Sequence, residues 1–483
     1  MGGSINANQA GDQPADAKPT ASLVLQELTD CLDAVHQCLE GNGGEIVYIA
    51  TLVDTSLLLR DLIRPLTGAE PSELRTKLGA APYRLTKDMN SCLSGITNGA
   101  VAIFAGEDAY LLDLSKKIGR TIEQTETETL ITGPHDGFVE SLDENLGVIR
   151  RRLRSAKLKS VGFEAGEISK TQIVMLYIEG IVNMEFVTLL SERIRSIEID
   201  GVSDSNMLVQ LIDENPNSVF PQYLTTERPD AVVSKLLGGR IAVLMDGSPS
   251  AFISPTSFLE FFASPDDYYQ RWPIGTGLRV LRLIGFIITI CFTAFYVSVT
   301  TFHYELIPHT MLLNLAESRS KVPFPPLIEA LLMETTIELL REAGARLPTK
   351  IGQTIGIVGG IVIGQAAVQA GFTSNILIIA VATSAIASFV IPSYIMSASI
   401  RLIRFGLIVL AGLLGNLGLF MGIGLMVIHM AGITNLGTSY LSPIAPMRPS
   451  DLLDTLIRGP FWALKTRPTL SRSPNQVRTR PKQ

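Results

Sequence analysis

Five ionisable side chains, Glu329, Glu334, Glu338, Arg341 and Glu342, fall in a stretch otherwise apolar enough to be membrane-embedded. Charge inside a bilayer is costly, so such groups pair, face water or line an ion path. Glu334, Glu338 and Glu342 recur every fourth residue and share one helix face. Arg341 is in reach of Glu338, and Arg346 of Glu342. Two uses fit. The segment can be an interfacial amphipathic helix whose charges pair with each other or face water. Alternatively, in a symmetric oligomer each carboxylate recurs around an axis and draws cations to a pathway entrance.

Directly downstream, 351–371 is a membrane-length apolar segment carrying Gly352, Gly356, Gly360 and Gly364. A glycine at every fourth position makes a ridge along one helix face, against which another backbone can pack closely. That suits helix packing and oligomerisation. Its polar exceptions are Gln353, Gln365 and Gln369. Gln365 and Gln369 share a face, where they either hydrogen-bond across helices, worth ~1 kcal/mol each, or line a water-filled path.

Enzymatic chemistry finds little to work with. His36, His135, His303, His309 and His429 are scattered, without metal-ligand spacing. The run from Gly356 to Gly364 lacks the Lys-Ser/Thr ending of a phosphate loop, and no Gly-x-Ser-x-Gly elbow occurs. Cys31, Cys38, Cys92 and Cys291 form neither a Cys-x-x-Cys motif nor a disulfide framework. No catalytic residue, cofactor or metal site is expected.

The elements that must position these residues divide a chain of 483 residues and net charge −6. A Gly-, Asn- and Pro-rich lead, 1–22, reads as disordered. Residues 23–160 and 161–270 read as cytoplasmic α/β subdomains, 271–445 as an all-α polytopic membrane domain, and 446–483 as a basic cytoplasmic tail. That tail has eight basic and two acidic residues. The acidic remainder argues against nucleic-acid binding, and a basic end suits a membrane flank.

The first crossing is expected at 283–302, whose 20 uncharged residues would span ~30 Å. Arg271, Arg279 and Arg282 before it place the soluble half in the cytoplasm. Further crossings are expected at 351–371, 375–396 and 405–431. If 323–347 also crosses, the count is five and the basic tail lies outside. With that segment interfacial or re-entrant the count is four, both ends are cytoplasmic, and Arg401 and Arg404 fall on the external side. The second arrangement is preferred.

The soluble half carries an internal repeat. Strand-like 46–54 and 174–183 match at an offset of 129, aligning Tyr48 with Tyr177 and Asp54 with Asn183. Each precedes a helical stretch. Strand-like 99–108 and 239–248 match at an offset of 140, with hairpin turns at Gly106-Glu107 and Asp246-Gly247. The fold class is therefore an α/β N-terminal half of two related βαβ-containing subdomains, followed by membrane helices.

With these residues in hand, the chain resembles the A-subunit family of GerA-type spore germinant receptors. The resemblance is densest in Pro323-Phe-Pro-Pro-Leu-Ile-Glu, in Glu338-Leu-Leu-Arg-Glu-Ala-Gly-Ala-Arg-Leu-Pro348 and in Ile355-Gly-Ile-Val-Gly-Gly-Ile-Val-Ile-Gly-Gln. Ala387-Ser-Phe-Val-Ile-Pro392 and Arg401-Leu-Ile-Arg-Phe405 extend it, as do Gly133-Pro, Asn145 with Arg150-Arg-Arg, Thr226-Glu-Arg-Pro-Asp230 and Asp246-Gly-Ser-Pro249. His135-Asp136 replaces the family's usual Arg-Glu pair, and 123–128 lacks its usual proline. The resemblance implies an oligomeric membrane protein of the spore inner membrane, working with a transporter-like B subunit and a lipoprotein C subunit. In that picture it relays binding of a nutrient germinant and forms an ion pathway releasing monovalent cations. A non-conducting scaffold, or an accessory A-type protein of the dipicolinate channel system, is the alternative. Membrane lipid is an expected partner and nucleic acid is not.

Overall fold

A computed structural model describes residues 18–39, 44–67, 71–79, 82–106, 108–116, 128, 132–347, 360 and 362–479. The soluble half holds two five-stranded sheets. The first comprises β1 (Ala34–Cys38), β2 (Glu45–Ile49), β3 (Arg84–Thr86), β4 (Ala100–Ala105) and β5 (Asp108–Asp113), in the order β1-β2-β4-β5-β3. The second comprises β6 (Leu158–Ala165), β7 (Thr171–Ile178), β8 (Leu224–Thr226), β9 (Ile241–Met245) and β10 (Ala251–Ser254), in the order β6-β7-β9-β10-β8. The orders are the same once renumbered. Strand–helix–strand succession is kept in each, with antiparallel pairing throughout.

Corresponding residues do corresponding work. Asp54 accepts hydrogen bonds from the amides of Ser56 and Leu57, and Asn183 accepts one from Glu185, each capping the helix after the inner strand. Before β4 and β9 lie α1 (Met89–Thr97) and α4 (Pro229–Leu237). The chain leaves them through Gly99 (φ +94°) and Gly239 (φ +85°), a conformation that L side chains rarely adopt. Between them come α2 (Leu142–Arg152) and α3 (Met184–Arg195).

Strands β4 and β9 are buried along their whole length because helices cover both faces of each sheet. In the second sheet Ile173, Met175, Tyr177, Val243 and Phe252 join a core with α3, whereas Val174, Leu176, Ile178, Leu244 and Ile253 join one with α2 and α4. This period-two division explains why the strands read as unbroken apolar runs. Although α2 lies within the expected 23–160 segment, its apolar face packs on the second sheet. It also ties the sheets together. Arg150 contacts Asp33 of the first unit twice, at 3.0 and 2.6 Å, with both side chains buried.

The described part of the C-terminal half includes α5 (Trp272–Phe302), α6 (His309–Arg319), α7 (Pro326–Arg346), α8 (Asn375–Phe389), α9 (Tyr394–Gly432) and α10 (Pro449–Thr455). Two, α5 and α9, are long and apolar enough to cross a membrane. Contacts fix their directions. Thr289 of α5 meets Ser384 of α8, while Tyr296 meets Ser374 just before α8, so these helices are antiparallel. Glu329, Glu334 and Arg341 of α7 meet Ser374, Thr293 and Ser388 in turn, so α7 also runs antiparallel to α5.

The stretch expected as one crossing at 405–431 doubles back. Gly415 has φ +63° and ψ −145°, in a region that is essentially glycine-only. Residues 407 and 422 would lie ~22 Å apart along a straight helix. Yet a Cβ at Gly422 would stand 2.4 Å from the Leu407 side chain. The α9 segment is thus a helical hairpin with its tip against Phe302 and His303, at the end of α5. Both its ends return to the soluble half, where His429 meets Ser218.

A short hairpin, β11 (Thr434–Asn435) and β12 (Thr438–Ser439), follows. The tail then docks on the second α/β unit, with Arg467 donating to the Leu237 carbonyl and Ser473 to that of Ile181, while Arg472 donates to the Gly437 carbonyl of this hairpin. At this junction Asp267 receives Arg279 and Arg282 from the start of α5, each at 2.8 Å. Tyr268 donates to Asp454 of α10 at 2.7 Å.

Candidate functional site

The charges that opened the sequence analysis form a ladder in the helical half. Its uprights are α7 and the first arm of α9, with α5 and α8 on either side. Glu334 and Arg404 are both fully buried, and their nearest atoms stand 2.6 Å apart. That approach is off-axis for a hydrogen bond, so it is an ion pair; Arg404 gives its directed bond to Ser384 (3.1 Å). Glu334 in turn accepts from Thr293 at 2.8 Å. One turn further, Glu338 accepts from Arg401 at 2.8 Å, and Arg401 also reaches Ser397. At the other end Glu329 accepts from Thr373 and from the Ser374 amide, 3.8 Å from Arg319.

Arg341 stands apart. Its nearest carboxylate oxygen, on Glu338, is 3.8 Å away, and Glu338 is already held by Arg401. Its guanidinium lies over the Phe389 ring, 4.6 Å from the centroid, and one nitrogen donates to Ser388 at 3.1 Å. The other two nitrogens have no hydrogen-bond partner among the described residues.

Other expected site residues are placed as follows. Glu342 is exposed and pairs with Arg346 at 2.6 Å. Gly352 and Gly356, like Gln353, lie outside the described residues. Among the described residues a Cβ at Gly360 or Gly364 would meet nothing within 4 Å, and Gln365 and Gln369 are exposed. The tightly packed glycines are instead on α9. A Cβ at Gly412 would stand 2.7 Å from Leu327, and one at Gly418 would stand 2.1 Å from the Leu410 carbonyl.

Arg401 and Arg404, expected on the external side, are buried ladder members at 8 % and 0 % exposure. They are three apart and therefore share a face. An arginine in an apolar helix needs a counter-charge, and this signal could have matched them to the glutamates of α7.

A cavity of about 1190 Å³ lies beside the ladder. It runs from Ser264 and Pro265 of the soluble half, past Glu338, Arg341 and Arg401, to Gly360 and Gly364. Among the described residues no group of three or more His, Cys, Asp or Glu side chains is placed to hold a metal ion. The ladder holds helices in register; it offers no activated nucleophile.

Comparison with known proteins gives one consistent result. A family model described as Bacillus/Clostridium GerA spore germination protein matches residues 23–470. Spore germination protein GerQA of Bacillus cereus is 42 % identical over 481 residues, covering 98 % of this chain and 96 % of its own. Spore germination protein A1 of Bacillus subtilis is 37 % identical, covering 95 % and 96 %. The crystal structure of the N-terminal domain of the A subunit of the Bacillus megaterium spore germinant receptor GerK3 is 25 % identical, with a TM-score of 0.37. It covers 49 % of this chain and 93 % of its own.

Proposed function

Because the chain belongs to the Bacillus/Clostridium GerA family of spore germination proteins, we propose that it is an oligomeric membrane subunit of a germinant receptor. In this reading it sits in the spore inner membrane with its α/β half and tail in the cytoplasm. It relays nutrient binding from a transporter-like B subunit, with a lipoprotein C subunit, to a path that releases monovalent cations.

The observation that carries this reading is the open face at Gly360 and Gly364. Where Gly412, Gly418 and Gly422 of α9 are filled by neighbours from the same chain, these two meet no described residue within 4 Å. A close-packing face without a partner among the described residues suits a second copy of the chain. Gln365 and Gln369, exposed on the same segment, would line the path between copies, and Glu342 would stand at its mouth.

One observation favours a different reading, a non-conducting scaffold. Glu334 and Glu338 are engaged by Arg404 and Arg401 of their own chain and present no free carboxylate ring. Reconstitution with the partner subunits in liposomes separates the two readings. Germinant-dependent potassium or rubidium efflux supports conduction, and its absence under every activating condition supports the scaffold. Gly360→Leu should abolish cross-linked oligomers and efflux while leaving the thermal midpoint unchanged. Normal oligomers from that variant would remove the packing argument.

A further inference from the structure

The ladder has one arginine too many. Arg404 is matched by Glu334, Arg401 by Glu338 and Arg319 by Glu329, which leaves Arg341 to share a carboxylate already taken. Only 13 % of its side chain is exposed. A buried cation without a full partner is strongly unfavourable, and proteins resolve it with a counter-charge. The neighbouring charges do not supply one. Glu342 borders the cavity but is engaged by exposed Arg346. Glu128 borders it from the soluble half and accepts a hydrogen bond from Thr226 there.

What Arg341 faces is the cavity itself. Two of its guanidinium nitrogens are unused among the described residues, and the group lies over the Phe389 ring. A guanidinium held flat with free N–H groups is matched to the paired oxygens of a carboxylate or phosphate. Ser397 and Tyr394 also line the cavity, and Ile337, Ile378 and Val381 form an apolar wall.

We infer that this cavity binds an amphiphilic oxyanion, with its carboxylate or phosphate on Arg341 and its apolar body against the α7 and α8 side chains. The chemistry is common to a free aromatic or aliphatic acid and to an anionic lipid. The site does not depend on whether the chain conducts ions. It adjoins the proposed cation path, with which it shares Glu342, Gly360 and Gly364, but is centred on Arg341, where the local charge excess is positive.

The test uses the full-length protein in nanodiscs of zwitterionic lipid, with benzoate and acetate as probes at constant ionic strength. Saturable binding is expected by calorimetry, with benzoate at least ~10-fold tighter than acetate because its ring buries apolar surface. Arg341→Gln should weaken benzoate ~10- to 100-fold, the range for losing a charge-assisted hydrogen bond. Arg84→Gln, exposed on β3 of the first sheet, should bind as the parent does. If Arg341→Gln does not fold, Gly344→Leu replaces it. Gly344 lines the cavity and its side-chain position meets nothing within 4 Å, so leucine can fill the site without a clash. The lipid source is read by native mass spectrometry from phosphatidylglycerol nanodiscs. One retained anionic lipid per chain, displaced by benzoate and lost in Arg341→Gln, identifies lipid as the occupant. Without such a lipid, saturable benzoate binding identifies a free acid. Absence of both signals, or equal binding by Arg341→Gln, overturns the inference.

Discussion

Replacing Glu334 by glutamine keeps side-chain shape and an acceptor for Thr293, but removes the negative charge facing Arg404. Both partners are fully buried, so solvent cannot supply a replacement. Breaking such a pair by removing one member costs about 3–5 kcal/mol, most of it the penalty for the abandoned charge. For a domain of 150–250 residues each kcal/mol moves the midpoint by about 2–4 °C, so Glu334→Gln should melt about 6–20 °C lower. Thermal unfolding of the detergent-solubilised chain, followed by size-exclusion recovery, reads this directly. The double variant Glu334→Gln/Arg404→Gln should recover more than half of the loss, because it removes both charges. The loss should also change little between low and high salt, since a buried pair is poorly screened. A single variant melting within ~2 °C of the parent, or a double variant as unstable as the two singles combined, would refute the ladder's structural role.

Three further outcomes follow from the same geometry. Gly415→Ala must hold a side chain at φ +63°, 3.0 Å from the His303 ring, and should cost about 1–3 kcal/mol; an unchanged thermal midpoint would argue against the hairpin. Asp33→Asn leaves buried Arg150 with half of its partner and should lower the unfolding free energy read by denaturant titration by about 2–4 kcal/mol; no change would mean the sheets are held together without that pair. Burial disfavours the charged form of Glu260, but Arg240 and Lys235 outweigh it and hold its pKa at about 2. A depressed carboxyl contributes stability above its ordinary value of 4.5, about 3 kcal/mol here, and loses it as pH falls toward 2. Glu260→Gln should therefore flatten the acid limb of the stability profile, and an unaltered limb would contradict the assignment.

The soluble half was legible because its signals are local. The offsets of 129 and 140 mark real structural equivalents. Asp54 and Asn183 cap matching helices, and Gly99 and Gly239 make matching turns. A cap or a left-handed turn is decided within a few residues, so it survives in the sequence. The ladder was only half legible. The spacing of Glu334, Glu338 and Glu342 exposed the helix face, but the partners lie more than sixty residues away on another helix. Arg279 and Arg282 illustrate the converse. Read as positive charges that orient the chain, they are also engaged by Asp267.

The hairpin at Gly415 bears on the choice between four and five crossings. That choice rested on parity, with a crossing at 323–347 sending the basic tail to the far side. Parity changes if α9 reverses, because its second arm is an additional return. The tail also touches the second α/β unit through Arg467 and Ser473, so both lie on one side of the helical half whatever the count. A full-length α7 antiparallel to α5 is then compatible with a tail beside the soluble half. Its glutamates need no interfacial water, since the first arm of α9 supplies Arg401 and Arg404 at their level. Hydropathy alone favours withdrawing a charged helix from the bilayer; a paired arginine face removes that reason. Cysteines introduced one at a time at Met311 of α6 and Leu417 at the hairpin tip decide the matter in oriented vesicles. Both should be labelled from the side opposite the tail, and labelling of Leu417→Cys from the tail side would show that the hairpin does not reach across.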